Sequence, residues 1–379
     1  MIKDKTNMIN LNVEDEETDV NVEMKPFDPD KISINTKPVT MDSFIRRYKQ
    51  KTIIMNPDFQ RKEVWTPVQK SLLIESLMLR IPIPMFYVSS DEKGILTVID
   101  GLQRLSAIRD FVIGQIDKNG KLTNKLRLGK LEYWKEYEGK TFDELPDYLQ
   151  NRILETEFTF TIVNPGTPEE VKLNIFKRIN TGGMTLNPQE IRNALYVGNA
   201  TKLLRKISQS KDFQKATCNS IHSERMEDDE IILRCLYFYL MGYEEPEAKM
   251  DDKLCRTMIE LNSKEETALK SIYDSFVVSM TRCFKLFGKQ AFRRNSGTNR
   301  RRPINKCLFE VWGYHMAKIS ESDYTKIVRQ KNTFIEDYNS VLQKEKFIGS
   351  ITQGTWSSTS IKERFVTINR LIQKYTYVK

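Results

Sequence analysis

Five consecutive residues combine a carboxylate, a glycine, an amide and a guanidinium: Asp100, Gly101, Leu102, Gln103 and Arg104. A β-branched run precedes them, and an apolar-periodic segment follows from Leu105 to Phe111. This order predicts a short buried strand, a tight polar turn and a helix. Backbone N–H groups at such a turn bind anions, and a guanidinium suits phosphate. A strand-to-helix turn with a surface Asp–Arg pair fits equally well, so the motif alone leaves both interpretations open.

A second polar cluster surrounds two glycines further along the chain. It consists of Arg178, Asn180, Thr181, Gly182 and Gly183. The glycines alone would make an ordinary helix C-cap and turn. The polar side chains add groups that can contact phosphate, ribose or a metal ion, and the next helix, which begins near Asn187, carries Glu190, Arg192 and Asn193.

A third polar pair, Gln60 and Arg61, lies between the large apolar residues Phe59 and Trp65. The aromatics could anchor a loop whose polar pair faces a site, or they could simply pin the loop to the core. Together with the two glycine turns, the pair favours a phosphate-binding site.

Length and composition restrict the classes of protein. The 379 residues are enough for two domains, and the net charge of +9 is compatible with nucleotide or nucleic acid as partner. Five scattered cysteines favour reduced thiols, and two histidines, His222 and His315, disfavour zinc hydrolases and HNH nucleases. The sequence has neither a long apolar run nor an apolar N-terminal segment, so we expect a cytoplasmic protein without membrane contact.

The chain divides into three predicted segments. Residues 1–26 are polar and acidic and predict a flexible tail; residues 27–198 mix strands and helices; residues 199–379 are helical almost throughout. A basic loop at 292–303 interrupts the helices. Its arginines are Arg293, Arg294, Arg300, Arg301 and Arg302. Such a run is usually a solvated surface, but one this dense could bind a nucleic-acid backbone.

Four spaced stretches together resemble the N-terminal domain of GmrSD-type restriction endonucleases. They are Pro-Asp-Phe-Gln-Arg from Pro57, Leu-Ile-Glu-Ser-Leu from Leu73, Ile-Asp-Gly-Leu-Gln-Arg-Leu from Ile99 and Phe-Lys-Arg-Ile-Asn-Thr-Gly-Gly from Phe176. The likeness covers about residues 35–198 and extends more weakly to the end of the chain. It implies an α+β fold, with a ParB/sulfiredoxin-like N-terminal domain that is here followed by an all-helical domain.

In that family an Asp-Gly-Gln-Gln-Arg motif serves nucleoside triphosphate binding or hydrolysis, which powers or gates DNA restriction in phage defence. On this chain the motif is residues 100–104, with Leu102 where Gln is usual. The restriction enzymes add an HNH nuclease domain, which two isolated histidines cannot supply. The resemblance therefore implies DNA as a partner, and it leaves open whether cleavage comes from a partner nuclease, comes from another site or is absent. A methyltransferase partner and a homo-oligomer are also left open.

The leading hypothesis is a domain that binds and hydrolyses a nucleoside triphosphate. Asp100, Gln103 and Arg104 would act in catalysis, and Mg²⁺, with Asp100 as its ligand, would neutralise the triphosphate charge. The nucleotide-binding residues would be Gln60, Arg61, Gly101, Arg178, Asn180, Thr181, Gly182 and Gly183. An alternative is a non-catalytic protein that binds DNA or senses its modification through the arginine loop. A third is a metal-dependent DNA nuclease, for which only Asp100 and Glu190 are obvious metal ligands.

Overall fold

The computed structural model describes residues 13–14, 32–55, 65–115, 121–168, 171–172, 175, 187–223, 225–244, 248–294 and 302–377. The chain divides into two compact units. One consists of Pro26–Leu195, and the other joins Met1–Lys25 to Tyr196–Lys379. The first unit is mixed α+β and the second is helical, which confirms the predicted α+β class with a helical C-terminal region.

The α+β unit contains a five-stranded sheet. Its strands are β1 (Ile34–Thr40), β2 (Ile53–Ile54), β3 (Phe86–Ser90), β4 (Leu96–Asp100) and β5 (Glu157–Val163). Their order across the sheet is β1-β5-β3-β4-β2. β1 pairs antiparallel with β5, and β3 antiparallel with β4, whereas the β5–β3 and β4–β2 pairs are parallel. At the open end of the hairpin formed by β3 and β4, Asp100 lies opposite Tyr87.

Five described helices belong to this unit. They are α1 (Met41–Lys49), α2 (Pro67–Met78), α3 (Leu102–Val112), α4 (Asp147–Glu155) and α5 (Pro188–Leu195). α2 begins with a capping box, because Thr66 accepts from the backbone N–H of Gln69 while the Gln69 side chain accepts from that of Thr66. α2 packs against α3 and α4, and α5 packs against β4.

Aromatic side chains from two neighbouring strands form the centre of the core. Phe86, Phe158 and Phe160 are nearly or fully buried and meet edge to face, with ring centroids 4.9 to 5.8 Å apart. Such geometry matches the charge distribution of aromatic rings and adds to the burial of their area. The sheet that carries Asp100 is therefore supported by a tightly packed aromatic core.

The helical unit consists of ten described helices. They are α6 (Asn199–Ser208), α7 (Lys211–Thr217), α8 (Glu227–Met241), α9 (Met250–Ser263), α10 (Glu266–Phe287), α11 (Lys306–Lys318), α12 (Glu321–Arg329), α13 (Lys331–Val341), α14 (Glu345–Ser350) and α15 (Ser358–Thr376). α11 packs against α8, α10 and α15 and is thus the central helix. Of the helices that the structure describes, none has the length and hydropathy needed to cross a bilayer.

A carboxylate between two arginines lies inside this helical core. Glu310 on α11 accepts from Arg234 Nε at 2.5 Å and from Arg364 Nη2 at 2.9 Å, and all three side chains are fully buried. Arg234 comes from α8 and Arg364 from α15, so the ionic contacts join three helices. Removing one member of such a group leaves a charge buried without compensation.

Two predicted features differ from the structure. Residues 125–131 carry strand-like patterning, but they form irregular backbone whose Leu126, Leu128 and Leu131 enter the core. Val13 and Glu14 belong to the predicted flexible tail, yet they contact the helical unit: Val13 is 9% exposed and pairs with Ile304. Hydrogen bonding and burial fix these two residues, which polar composition alone does not predict.

Candidate functional site

Asp100 is the last residue of β4 and lies at the edge of the sheet where α3 begins. Its backbone is fixed by pairing with β3, and its side chain is 36% exposed. A carboxylate held by a strand at one end and open to solvent at the other can coordinate a cation or orient water. The rigid strand makes its position well defined.

Gly101 alone connects β4 to α3. Its backbone is left-handed, with φ of 93° and ψ of 9°, a conformation that glycine adopts without steric cost. A Cβ at this position would lie 2.3 Å from Phe86 Cδ1, so any side chain would collide with the aromatic core. Gly101 also has no side chain that could cap α3. The first backbone N–H groups of the helix therefore receive no side-chain hydrogen bond from the N-cap residue.

Leu102, Gln103 and Arg104 form the first turn of α3 rather than a separate polar turn. The sequence predicts the helix from Leu105, but it begins at Leu102 because Gly101 reverses the chain in one residue. The positive end of the helix dipole therefore lies directly beside Asp100. This arrangement favours a phosphate or another anion near the turn.

Both terminal nitrogens of Arg104 donate hydrogen bonds to other groups of the protein. Nη1 donates to the Pro84 carbonyl, while Nη2 donates to the Met85 carbonyl at 3.2 Å and to Asp100 Oδ2 at 3.1 Å. The guanidinium also lies 4.6 Å from the centre of the Phe86 ring. Burial lowers the pKa of Arg104, and the nearby Asp100 carboxylate opposes that shift.

These contacts bear on the predicted role of Arg104, which stays a prediction. The sequence leads us to expect that its donors face a phosphate, whereas in this conformation they bond two loop carbonyls and Asp100. The side chain is 15% exposed. In this conformation Arg104 positions Asp100 and the segment before β3, and contact with a phosphate would require it to exchange one of these bonds.

The two remaining motif side chains enter different surroundings. Leu102 is 5% exposed and belongs to the hydrophobic core, so a direct ligand contact by its side chain is excluded in this conformation. Gln103 Oε1 is buried and has no hydrogen-bond partner among the described residues. A buried amide oxygen without a partner is costly, so this oxygen is open to a water or a ligand group.

α5 contributes buried polar side chains that the sequence analysis noted only in part. Gln189, Glu190, Arg192 and Asn193 are each at most 1% exposed. Gln189 Nε2 donates to Asn193 Oδ1 at 2.8 Å, and Arg192 Nε donates to Gln189 Oε1 at 2.8 Å. Glu190 Oε2 accepts from the backbone N–H of Asn187 at 2.6 Å. Since α5 packs against β4, this network supports the strand that ends at Asp100.

Glu190 is therefore a helix-capping residue rather than an exposed metal ligand. Its own backbone N–H donates to Asn187 Oδ1 at 2.8 Å, which completes a reciprocal cap. The side chain is 1% exposed. The structure thus gives no support to the pairing of Asp100 with Glu190 in a nuclease site.

Seven predicted nucleotide-binding residues lie outside the described part of the chain. They are Gln60, Arg61, Arg178, Asn180, Thr181, Gly182 and Gly183. Their contribution stays a prediction. Gly101 is the predicted nucleotide-binding residue that the structure describes, and it lies together with Asp100 and Arg104.

The arginine loop is only partly a solvent-exposed surface. Arg293 is 3% exposed and donates to the carbonyls of Ala291 and Thr217 and to Ser220 Oγ, so it lies inside the protein in this conformation and its contact with nucleic acid stays a prediction. The several donors of a guanidinium can bond backbone carbonyls inside the protein, which spacing in sequence does not reveal. Arg294 donates to Glu14, and Arg302 is exposed. Arg300 and Arg301 lie outside the described residues.

The side chains near Asp100 are compatible with Mg²⁺ that is bound mainly by a nucleotide and by water. Among the described residues, no group of three His, Cys, Asp or Glu side chains could hold a metal ion. Mg²⁺ in nucleotide sites, however, is commonly held by one or two carboxylates together with waters and substrate phosphates. The single exposed carboxylate of Asp100 therefore fits a cation that arrives with a nucleotide rather than a resident metal centre.

The fold and this turn define a mixed α+β domain with an Asp-Gly-Leu-Gln-Arg motif between a central strand and a helix. The sequence model described as GmrSD restriction endonuclease, N-terminal domain, matches residues 42–197. This part of the chain thus matches a GmrSD-type N-terminal domain, as the resemblance indicates, and the match suggests a component of a restriction or phage-defence system. No curated protein matches the chain.

Proposed function

We propose that the turn at residues 100–104 binds a nucleoside triphosphate with Mg²⁺ and promotes its hydrolysis within a DNA restriction or phage-defence system. One observation carries the proposal: Gly101 brings the exposed carboxylate of Asp100 and the N-terminus of α3 to the same place. A carboxylate for a cation and a helix N-terminus for phosphate are the two groups that a magnesium–triphosphate complex needs.

Each motif residue has a defined part in this proposal. Asp100 holds the cation or orients the attacking water, and Gly101 permits close approach of the phosphates to the backbone. Arg104 fixes the position of Asp100 through their 3.1 Å contact. Gln103, whose Oε1 is without a partner in the described structure, orients water or a nucleotide group. When bound, Mg²⁺ would supply neutralisation of the triphosphate charge.

Phosphate release from ATP, GTP, CTP and UTP in the presence of Mg²⁺ tests hydrolysis, with and without duplex DNA. We expect wild type to hydrolyse at least one of the four, and Asp100→Asn to lose about tenfold or more of that rate. Asp147→Asn is the matched control, because Asp147 is an exposed aspartate in the first turn of another helix of this unit. Equal rates in wild type and Asp100→Asn would contradict the proposal.

A further inference from the structure

Glu14 is held at the N-terminus of α11 in the helical unit. Its Oε1 accepts from Arg294 Nε at 2.9 Å, and its Oε2 accepts from Asn305 Nδ2 at 2.9 Å. Its backbone N–H donates to the Ile304 carbonyl at 2.7 Å, next to the bridge between Val13 and Ile304. A segment almost 300 residues away in sequence therefore delivers a carboxylate to this point.

The surroundings of this carboxylate are those of an anion site. Asn305 is the N-cap of a 13-residue helix, and its Oδ1 accepts from the backbone N–H of Leu308 at 2.9 Å. Asn305 is 3% exposed, and its Nδ2 donates both to Glu14 and to the Ile351 carbonyl at 2.9 Å, beside the positive end of the helix dipole. Arg294 adds a guanidinium whose side chain is 29% exposed, while Glu14 is 9% exposed. The bound group at the helix N-terminus is thus a nearly buried anion.

A phosphodiester offers the same charge and the same kind of acceptor oxygens as this carboxylate. Arg302, three residues before Asn305 in the sequence, is also exposed. In the sequence, acidic residues continue after Glu14 through Glu16, Glu17 and Asp19, and basic residues concentrate around Arg294. An acidic and a basic stretch in one chain attract each other, and a polyanion would compete with the acidic stretch for the basic one.

We propose that Arg294 and Asn305 form a binding site for nucleic-acid phosphate, and that Glu14 occupies this site in cis. The N-terminal segment and a nucleic acid then compete for the same donors. The apparent affinity for nucleic acid is reduced by the fraction of molecules in which Glu14 is in place. This inference concerns the helical unit and does not depend on nucleotide hydrolysis at Asp100.

Fluorescence anisotropy with a labelled duplex DNA, repeated at several salt concentrations, tests the competition. We expect Glu14→Gln to bind DNA at least about threefold more tightly than wild type. Its dependence of log K on log salt should steepen by about one unit, because one more phosphate contact forms. Arg294→Gln combined with Glu14→Gln should remove the gain.

Glu336→Gln is the matched control, since it removes one exposed negative charge from the same helical unit. Circular dichroism and thermal unfolding establish that each variant is folded. Unchanged affinity of Glu14→Gln, or a gain no larger than that of Glu336→Gln, would overturn the proposal and leave Glu14 as a purely structural contact.

Hydrogen exchange on the wild-type full chain provides a second test that needs no variant. The backbone N–H of Glu14 is bonded to Ile304, so it should be protected in the free protein. Saturating duplex DNA should increase its exchange if the segment is displaced. Retained protection of Glu14 in the DNA complex, or absence of any DNA binding by the wild type and Glu14→Gln, would refute the competition.

Discussion

Gly101 shows how a single residue can determine the geometry of the candidate site. The left-handed backbone turns the chain from β4 directly into α3, and the space that a Cβ would take is filled by Phe86. The motif glycine is therefore required for steric reasons before any ligand is considered. Asp100 and the first turn of α3 come together as a consequence.

Replacement of Gly101 tests this steric argument. Gly101→Ala should lower the free energy of unfolding by more than about 2 kcal/mol, because a strained φ and a collision with Phe86 add together. Gly94→Ala is the matched control: Gly94 has a φ of 76°, but nothing lies within 4 Å of a Cβ built there. It should cost only about 1 kcal/mol. Urea unfolding measures both, and equal losses would show that the Phe86 contact is unimportant.

At the scale of elements, the sequence predicts some boundaries of helices and strands correctly and misses others. Strict alternation predicts a strand over Glu157–Val163, and β5 has those bounds. Thr66 and Pro67 predict the start of α2, because an N-cap side chain and a proline with fixed φ are local signals. The start of α3 is missed by three residues, since a glycine N-cap has no side chain that would mark it.

The site itself could be predicted only in outline. The sequence identifies Asp100, Gly101 and Arg104 as neighbours, and the structure brings them together. It does not reveal that Arg104 bonds the carbonyls of Pro84 and Met85, because backbone acceptors carry no sequence signature. For the same reason Arg293 resembles a surface arginine in sequence but is buried. In α5, four polar residues in a short helix indicate a buried network only once β4 is known to lie against it.

Glu75 connects α2 to the irregular segment that follows α3. Its carboxylate accepts from the backbone N–H groups of Glu132, Tyr133 and Trp134 at 2.8 to 2.9 Å. Burial raises the pKa of Glu75, but the three N–H donors together outweigh it, and the pKa lies below its ordinary value of 4.5. A lowered pKa in the folded state stabilises the protein above that value.

Glu75→Gln should therefore destabilise the protein in a pH-dependent way. At pH 7 we expect a loss of about 2 kcal/mol, because the new amide group places a donor against one of the backbone N–H groups. The difference from wild type should shrink as the pH falls below about 4.5, where wild-type Glu75 takes up its proton in the unfolded and then the folded state.

Urea unfolding at pH 7 and at acid pH measures this effect. Glu132→Gln is the control, since Glu132 lies exposed in the same segment. It should change stability by less than about 0.5 kcal/mol at either pH. A deficit of Glu75→Gln that stays constant across this range would contradict the assignment.

At the scale of the whole molecule, each unit has its own core, and the two cores differ in their chemistry. The α+β unit is organised around aromatic side chains beneath the candidate site. The helical unit instead contains the fully buried group of Arg234, Glu310 and Arg364. Buried ion pairs contribute little net stability, but they are strongly destabilising when one partner is removed.

Glu310→Ala should lower the stability of the helical unit by about 3–5 kcal/mol, since two arginines would be left buried with uncompensated charge. Glu321→Ala is a stringent control. Glu321 pairs with Arg282 at 2.6 Å, a similar distance, but its side chain is 75% exposed. It should cost less than about 1 kcal/mol. Thermal unfolding compares the two, and similar losses would show that burial does not govern the contribution.

Equilibrium binding of nucleotides decides whether Asp100 and the N-terminus of α3 form a nucleotide site. Titration calorimetry with ATP, GTP, CTP and UTP in Mg²⁺ should detect binding of at least one nucleotide by wild type. Asp100→Ala should weaken that binding by about tenfold or more, equivalent to about 1.4 kcal/mol, while Asp147→Ala should leave it unchanged. Failure of all four to bind, or equal affinity of Asp100→Ala and wild type, would contradict the assignment.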